Sequence, residues 1–351
     1  MNFETPDRIP VTVGLNTIWS DWYFRRRYGI KIGEYWRDPR LSVEYQLRGW
    51  IDSFRDFEDD RPYVIPPDVG PLGGVVLHPT IAGCRAVFPE DDFAWIDLGY
   101  RALDTEEKID DYQVPEVAEA GLMPETLERF EEIEDLAGDL LQVRIQGGNG
   151  GPLQMAAYTR GIRELIRDMH TNPDLVHKLM GKMVGVYRAI KVYYRDSWGI
   201  RYRGADIDGY FYDNPLSYFS PRLVEEFVLP YYEEFARECS FRTWSMETQD
   251  VLDPFLEIYK SIPIGKLRNL VSNSDLVAFR KELEGVCFNV YIAPGRLLHG
   301  PSIEPLVDRV VEAMGLGGGW TLSSGVLDAA VPEENIHAFL KAGKSIGFIG
   351  K

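Results

Sequence analysis

The chain has 351 residues, 45% of them hydrophobic and 26% charged, a composition that excludes general disorder. Its 38 Lys and Arg stand against 55 Asp and Glu, and the net charge of −17 argues against nucleic acid or an anionic membrane as partner. Three cysteines (Cys84, Cys239, Cys287) are too few for a disulfide framework, the start is acidic, and the longest uncharged stretch, 69–84, is broken by prolines and glycines. A cytoplasmic protein without a membrane span is expected.

In chain order, short apolar runs at 10–15, 62–66, 140–146, 205–212, 241–246, 265–271, 286–292 and 320–324 alternate with longer amphipathic stretches. Eight strands, each followed by a helix or loop, predict an α/β fold: a (β/α)8 barrel in one domain over 1–351. Segment 70–137 breaks the alternation and is expected to be a lid insertion after the second strand. Its first part, 70–97, reads as an irregular excursion carrying a hairpin, and its acidic remainder as helical and solvent-facing. Helices are predicted over 161–168 and 172–198. The second places Leu175, Leu179, Met180, Met183, Val186, Tyr187, Ile190 and Tyr194 on one face. Ser220-Pro221 reads as a helix cap and first turn, and 332–344 as a closing helix.

In such a barrel the chemistry belongs at the C-terminal ends of the strands. The fourth run brings Asp206, Asp208, Tyr210 and Tyr212 to one side, with Phe211 between them and Asp213 at the turn. Aspartates there are either functional or paired with Arg144, Arg242, Arg268 or Lys266. The fifth run ends Trp244-Ser245-Met246-Glu247. Glu247 suits a general acid, a metal ligand or a helix cap, while Trp244 and Met246 suit either core or an aromatic pocket. The third run opens into Gly147-Gly148-Asn149-Gly150-Gly151-Pro152, where a ligand can approach the backbone or the chain can simply turn. The seventh delivers Asn289 and Tyr291, and the eighth Ser323, Ser324 and Gly325. His78 lies in the lid-like excursion, and His170 and His177 are expected on the surface. No metal motif and no serine-hydrolase elbow is present in the sequence.

Several stretches together resemble the uroporphyrinogen decarboxylase superfamily: Asp7-Arg8-Ile9-Pro10-Val11; Gly151-Pro152 through Tyr158 to Gly161; Asp168 through Asn172-Pro173-Asp174 to His177; and Gly204-Ala205-Asp206. The most specific is Leu216-Ser217 through Ser220-Pro221 to Leu229-Pro230-Tyr231, and the chain closes on Gly318-Gly319-Trp320-Thr321-Leu322 followed by Val331-Pro332-Glu333-Glu334. The resemblance implies a (β/α)8 barrel and one of two chemistries, porphyrinogen decarboxylation or methyl transfer with a corrinoid protein. The decarboxylases carry an Arg-rich motif after the first strand and close on Gly-His-Gly; here these positions read Gly14 to Asp21 and Ser323-Ser324-Gly325. The zinc thiol methyltransferases carry His-x-Cys and a later Cys, which here are Trp244-Ser245-Met246 and Ser324. Zinc at the usual site is therefore not expected, and Cys287 reads as core.

What remains implied is the methyltransferase component of an O-demethylase. It would move a methyl group from a small aromatic methyl ether to the cobalt of a cobalamin carried by a separate corrinoid protein. A catalytic group of Glu247, Asp208, Asp213 and Tyr212 is expected, with Trp19, Asn149, Tyr158, Phe211, Trp244, Met246, Asn289, Tyr291, Ser324 and His78 binding substrate and Trp22 adding a flat wall. Asp168-Met169-His170 opens like a cobalt-ligand motif, but Pro173 replaces its glycine, so the corrinoid is expected on the partner. A homodimer stays open. The alternatives are a family enzyme of other chemistry, a decarboxylase or a methyltransferase for another substrate, and a catalytically silent binding barrel.

Overall fold

The structure, a computed structural model, describes residues 8–14, 22–61, 66–71, 73–145, 150–198, 209–239, 243–247, 252–292, 300 and 302–346. Ten strands lie among them: β1 (Val11–Gly14), β2 (Asp68–Val69), β3 (Ala86–Val87), β4 (Trp95–Ile96), β5 (Gln142–Val143), β6 (Gly209–Tyr212), β7 (Trp244–Glu247), β8 (Ile264–Val271), β9 (Cys287–Tyr291) and β10 (Trp320–Val326). Seven of the eight predicted strands have a counterpart here; of the run at 62–66, residues 62–65 lie outside the described residues. The chain divides into two compact units, one of 1–32, 44–67 and 245–351, the other of 33–43 and 68–244.

The first unit is built on β1, β10, β9, β8 and β7, side by side in that order. β1 with β10, β10 with β9 and β9 with β8 are parallel pairs. Burial alternates along 288–291 and 320–324. Phe288, Val290, Trp320 and Leu322 are buried, while Asn289, Tyr291, Thr321 and Ser323 between them are only part-buried. Period-two alternation in a parallel sheet puts the first set on one face and the second on the other. The apolar face is covered by the closing helix Glu333–Ser345: Gly343 lies so close that a side-chain carbon there would meet Val11 at 2.8 Å and Leu322 at 3.4 Å. The opposite face is the polar one.

β8 breaks the alternation. Its register against β9 shifts between Leu267 and Leu270, and Asn269 there takes φ +57°. The extra residue leaves two consecutive polar side chains, Arg268 and Asn269, between buried Leu267 and Leu270. A second irregularity joins β1 to β10 at Gly14, whose missing side chain lets Gly325 O come within 1.8 Å of where a Cβ would stand.

In the second unit β2 pairs with β5 in parallel, and β3 with β4 as the expected antiparallel hairpin. Segment 70–137 departs from expectation at Leu77–Ile81, a helix with all five residues buried where an irregular excursion was predicted. Further on, the helix Met123–Ala137 buries Met123, Thr126, Phe130, Ile133 and Ala137 and turns Glu125, Glu128, Glu131 and Asp135 outward. The helix Pro173–Tyr193 buries the predicted face, from Leu175 to Ile190, and Tyr194 follows it into the core. Ahead of it, Asp168 forms a buried ion pair with Arg160 at 2.7 Å, and Arg160 also donates to Leu103 O and Asp104 O. That pair accounts for both residues' place in the motif without any chemistry. Ser220 caps the helix Pro221–Phe227 as predicted, its hydroxyl accepting from Leu223 N. No described helix is long and apolar enough to cross a membrane.

Candidate active site

In the first unit the polar sheet face carries a group centred on Glu247, the last residue of β7. β7 alternates Trp244, Ser245, Met246, Glu247, so Glu247 shares its side with Ser245, whose buried hydroxyl has no partner. The β8 bulge sends two side chains to the carboxylate. Asn269 Nδ2 donates to Oε1 at 2.8 Å, and Arg268 Nη1 lies 3.8 Å from Oε2. Both residues escaped the sequence reading as partners of Glu247, because a bulge shows only when the neighbouring strand is known. Asn is one of the few side-chain residues that tolerate the left-handed region.

Along the same face Asn289 Nδ2 donates to Thr321 Oγ1 at 2.9 Å across the β9–β10 pair. Tyr291 packs under Gly325, where φ is +70° and a Cβ would stand 2.5 Å from the ring. Ser324, expected to bind substrate, lies at the β1–β10 irregularity. It is fully buried, accepting from Gly14 N at 2.8 Å and donating to Gly325 O at 2.9 Å, a clip across the β1–β10 irregularity. Trp22 is likewise core, its indole N–H donating to Val331 O.

In the second unit the polar group surrounds the turn at Gly150–Gly151. Asp213 is 1% exposed. Its Oδ1 accepts from Gln154 N at 2.6 Å and its Oδ2 from Tyr232 Oη, so it serves the open N–H groups at the start of the helix Pro152–Arg160. Burial pushes its carboxyl well above the usual carboxylate range, against the opposing Gln154 N–H. Gly151 is required there: a Cβ would stand 2.2 Å from Asp213 Oδ2. Tyr212 is buried, and its hydroxyl accepts from Asn214 Nδ2 at 2.8 Å. Tyr158 sits on the same helix as Gln154, and burial raises its phenol.

His78 donates from Nδ1 to Gly150 O at 3.3 Å, and its Nε2 is buried without a partner. Burial, then the positive charge of Lys191, push its imidazole down to about 3, so it is neutral. Phe211 and Trp244, expected as pocket walls, are buried. Phe211 stacks on Tyr232 with centroids 4.3 Å apart and touches Tyr187, Phe235 and Trp244. Met246 is buried on the Trp244 side of β7 by the same alternation. Trp19, Asn149, Asp206 and Asp208 lie outside the described residues.

The residues present do not fit the thiol-activating zinc of the superfamily. Its three ligand positions hold no imidazole or thiol, and the hydroxyl of Ser324 is committed to Gly14 and Gly325. Among the described residues no three His, Cys, Asp or Glu come together to hold a metal. Cys287 is buried, as expected of core, while His170 is exposed and His177 part-buried beside Tyr231.

No curated protein matches the sequence. The solved structure of a methyltransferase from Methanosarcina mazei superposes with a TM-score of 0.67 at 16% identity, covering 97% of this chain and 94% of that one. The model of the family Uroporphyrinogen decarboxylase (URO-D) matches residues 1–346. The α/β class read from the sequence, a (β/α)8 barrel of this type, is the fold class, and the chain belongs to the uroporphyrinogen decarboxylase family.

Proposed function

We propose that this protein is the methyltransferase component of an O-demethylase, taking a methyl group from an aryl methyl ether for a separate corrinoid protein. The observation that carries the reading is Glu247, held at a strand end by Asn269 and Arg268 with Ser245, Asn289 and Tyr291 on the same sheet face. Its support from outside the chain is the likeness in fold to a methyltransferase and the family membership. The decarboxylase alternative is weakened by the absence of the family's Gly-His-Gly, replaced by Ser323-Ser324-Gly325, and of arginines directly after β1.

The reaction breaks the aryl O–CH3 bond. A reduced corrinoid on the partner, when bound, would supply the electron pair that takes the methyl, and the aryl oxygen would keep the bonding pair as a phenolate. Phenols have a pKa of about 10, so this leaving group benefits from a proton or a nearby cation. In this reading Glu247 hands a proton to the ether oxygen, and the Arg268 guanidinium offsets the developing charge. Asn269 fixes the carboxyl through Oε1, and Oε2 faces the Arg268 guanidinium at 3.8 Å. Asn289 and Tyr291 orient the ring.

The experiment is incubation with guaiacol or veratrole and a reduced, cobalamin-loaded corrinoid protein. Loss of the Co(I) absorption with stoichiometric release of phenol supports the reading. Turnover of a carboxylated substrate without the corrinoid protein would replace it with decarboxylation.

A further inference from the structure

Three residues of the second unit, His78 and Gln154 buried and Asn214 part-buried, keep buried polar atoms without partners. They are His78 at Nε2, Gln154 at both Oε1 and Nε2, and Asn214 at Oδ1. Hydrogen bonds link their surroundings to the Gly150–Gly151 turn. His78 reaches Gly150 O, Gly151 N donates to Tyr212 O, Asn214 donates to Tyr212 Oη, and Gln154 N donates to Asp213. Gln154 stands out among them. It is fully buried, both ends of its amide are open, and Tyr158, four residues on, lies on the same face of the helix. Buried polar groups are nearly always satisfied, and a cluster of exceptions calls for an explanation. Neither helix capping nor packing supplies one, since Leu or Met would fill the same space without the open amide.

We propose that Gln154, with His78 and Asn214, forms a recognition subsite for an uncharged ligand bearing hydroxyl groups. The hydrogen-bond inventory selects the class. The open atoms are three acceptors (His78 Nε2, Gln154 Oε1, Asn214 Oδ1) and one NH2 donor, so the ligand must be richer in donors than in acceptors. A carboxylate, which only accepts, would meet three acceptors and find a donor among the open atoms only in the Gln154 NH2. A vicinal diol or catechol edge, donating twice and accepting once or more, fits. That the ligand is aromatic rests on the proposed O-demethylase reading, whose product from guaiacol is catechol. Gln154 thus reads the hydroxyl pattern and excludes carboxylated analogues.

The test titrates the whole protein with catechol and with benzoate by calorimetry, for wild type and for the similarly sized variants Q154L and Q154M. Catechol binding with no benzoate binding is expected. Both variants should weaken catechol at least tenfold while keeping or raising Tm, because an unsatisfied buried amide has been removed. If Tm falls in both variants and catechol affinity is unchanged, Gln154 is a structural residue and the proposal fails. Benzoate binding as tight as catechol would also overturn it. The corrinoid protein is absent from these titrations, so the two proposals fail separately. Catechol binding without methyl transfer to the corrinoid sinks only the demethylase, and methyl transfer without Gln154-dependent catechol binding sinks only the subsite.

Discussion

Asn269 holds a left-handed backbone inside a strand in order to reach Glu247, and this one residue can be varied in two informative ways. Asn269→Gly keeps the backbone at little strain and removes only the amide, so it should leave Tm nearly unchanged while slowing methyl transfer. Asn269→Val forces a β-branched side chain to φ > 0 and should cost about 1–3 kcal/mol in thermal unfolding. His78 carries a second residue-scale prediction. Its imidazole falls from 6.5 to about 3 on folding, so between those values the unfolded chain binds a proton that the native one does not. The stabilisation is full above pH 6.5 and is lost progressively as pH falls toward 3. Urea unfolding at pH 7 and pH 5 should show a larger acid loss in wild type than in His78→Gln, which keeps a donor for Gly150 O but does not titrate.

At the level of elements, much of the chain was legible. The Ser220 cap, the buried face from Leu175 to Ile190 and the later strands follow from turn chemistry and periodicity, which are local properties. Ser220→Ala should therefore cost about 1 kcal/mol of stability by denaturant titration. What stayed hidden needed a neighbour. Alternation in Trp244-Ser245-Met246-Glu247 is plain in the sequence, but the side that is packed shows only in the structure, where Tyr232, Phe235 and Tyr187 pack on Phe211, which in turn touches Trp244. Ser324 looked like a strand-end ligand until the β1–β10 irregularity claimed its hydroxyl. The Leu77–Ile81 helix was obscured by Pro79 inside it and by the glycines before it. Gln154 drew no notice because a neutral amide in a helix carries no charge or motif; its one signal was the i,i+4 spacing to Tyr158.

For the whole molecule, the family membership fixes the fold, whereas the chemistry has to be argued from the groups on the strand ends. The Arg160–Asp168 pair illustrates the division: it lies in a family stretch, is buried on both sides and serves structure. Replacing one partner, as in Asp168→Asn, should destabilise by about 3–5 kcal/mol without altering substrate preference, since a buried guanidinium is left without its counter-charge. The measurement that tests the central claim most directly is single-turnover methyl transfer from guaiacol to a reduced corrinoid protein, comparing wild type with Glu247→Gln. Wild type should lose the Co(I) band rapidly with phenol release, and the variant should react at a rate roughly 10²-fold lower. Equal rates in the two proteins, or no transfer by wild type with an active corrinoid protein, would contradict it.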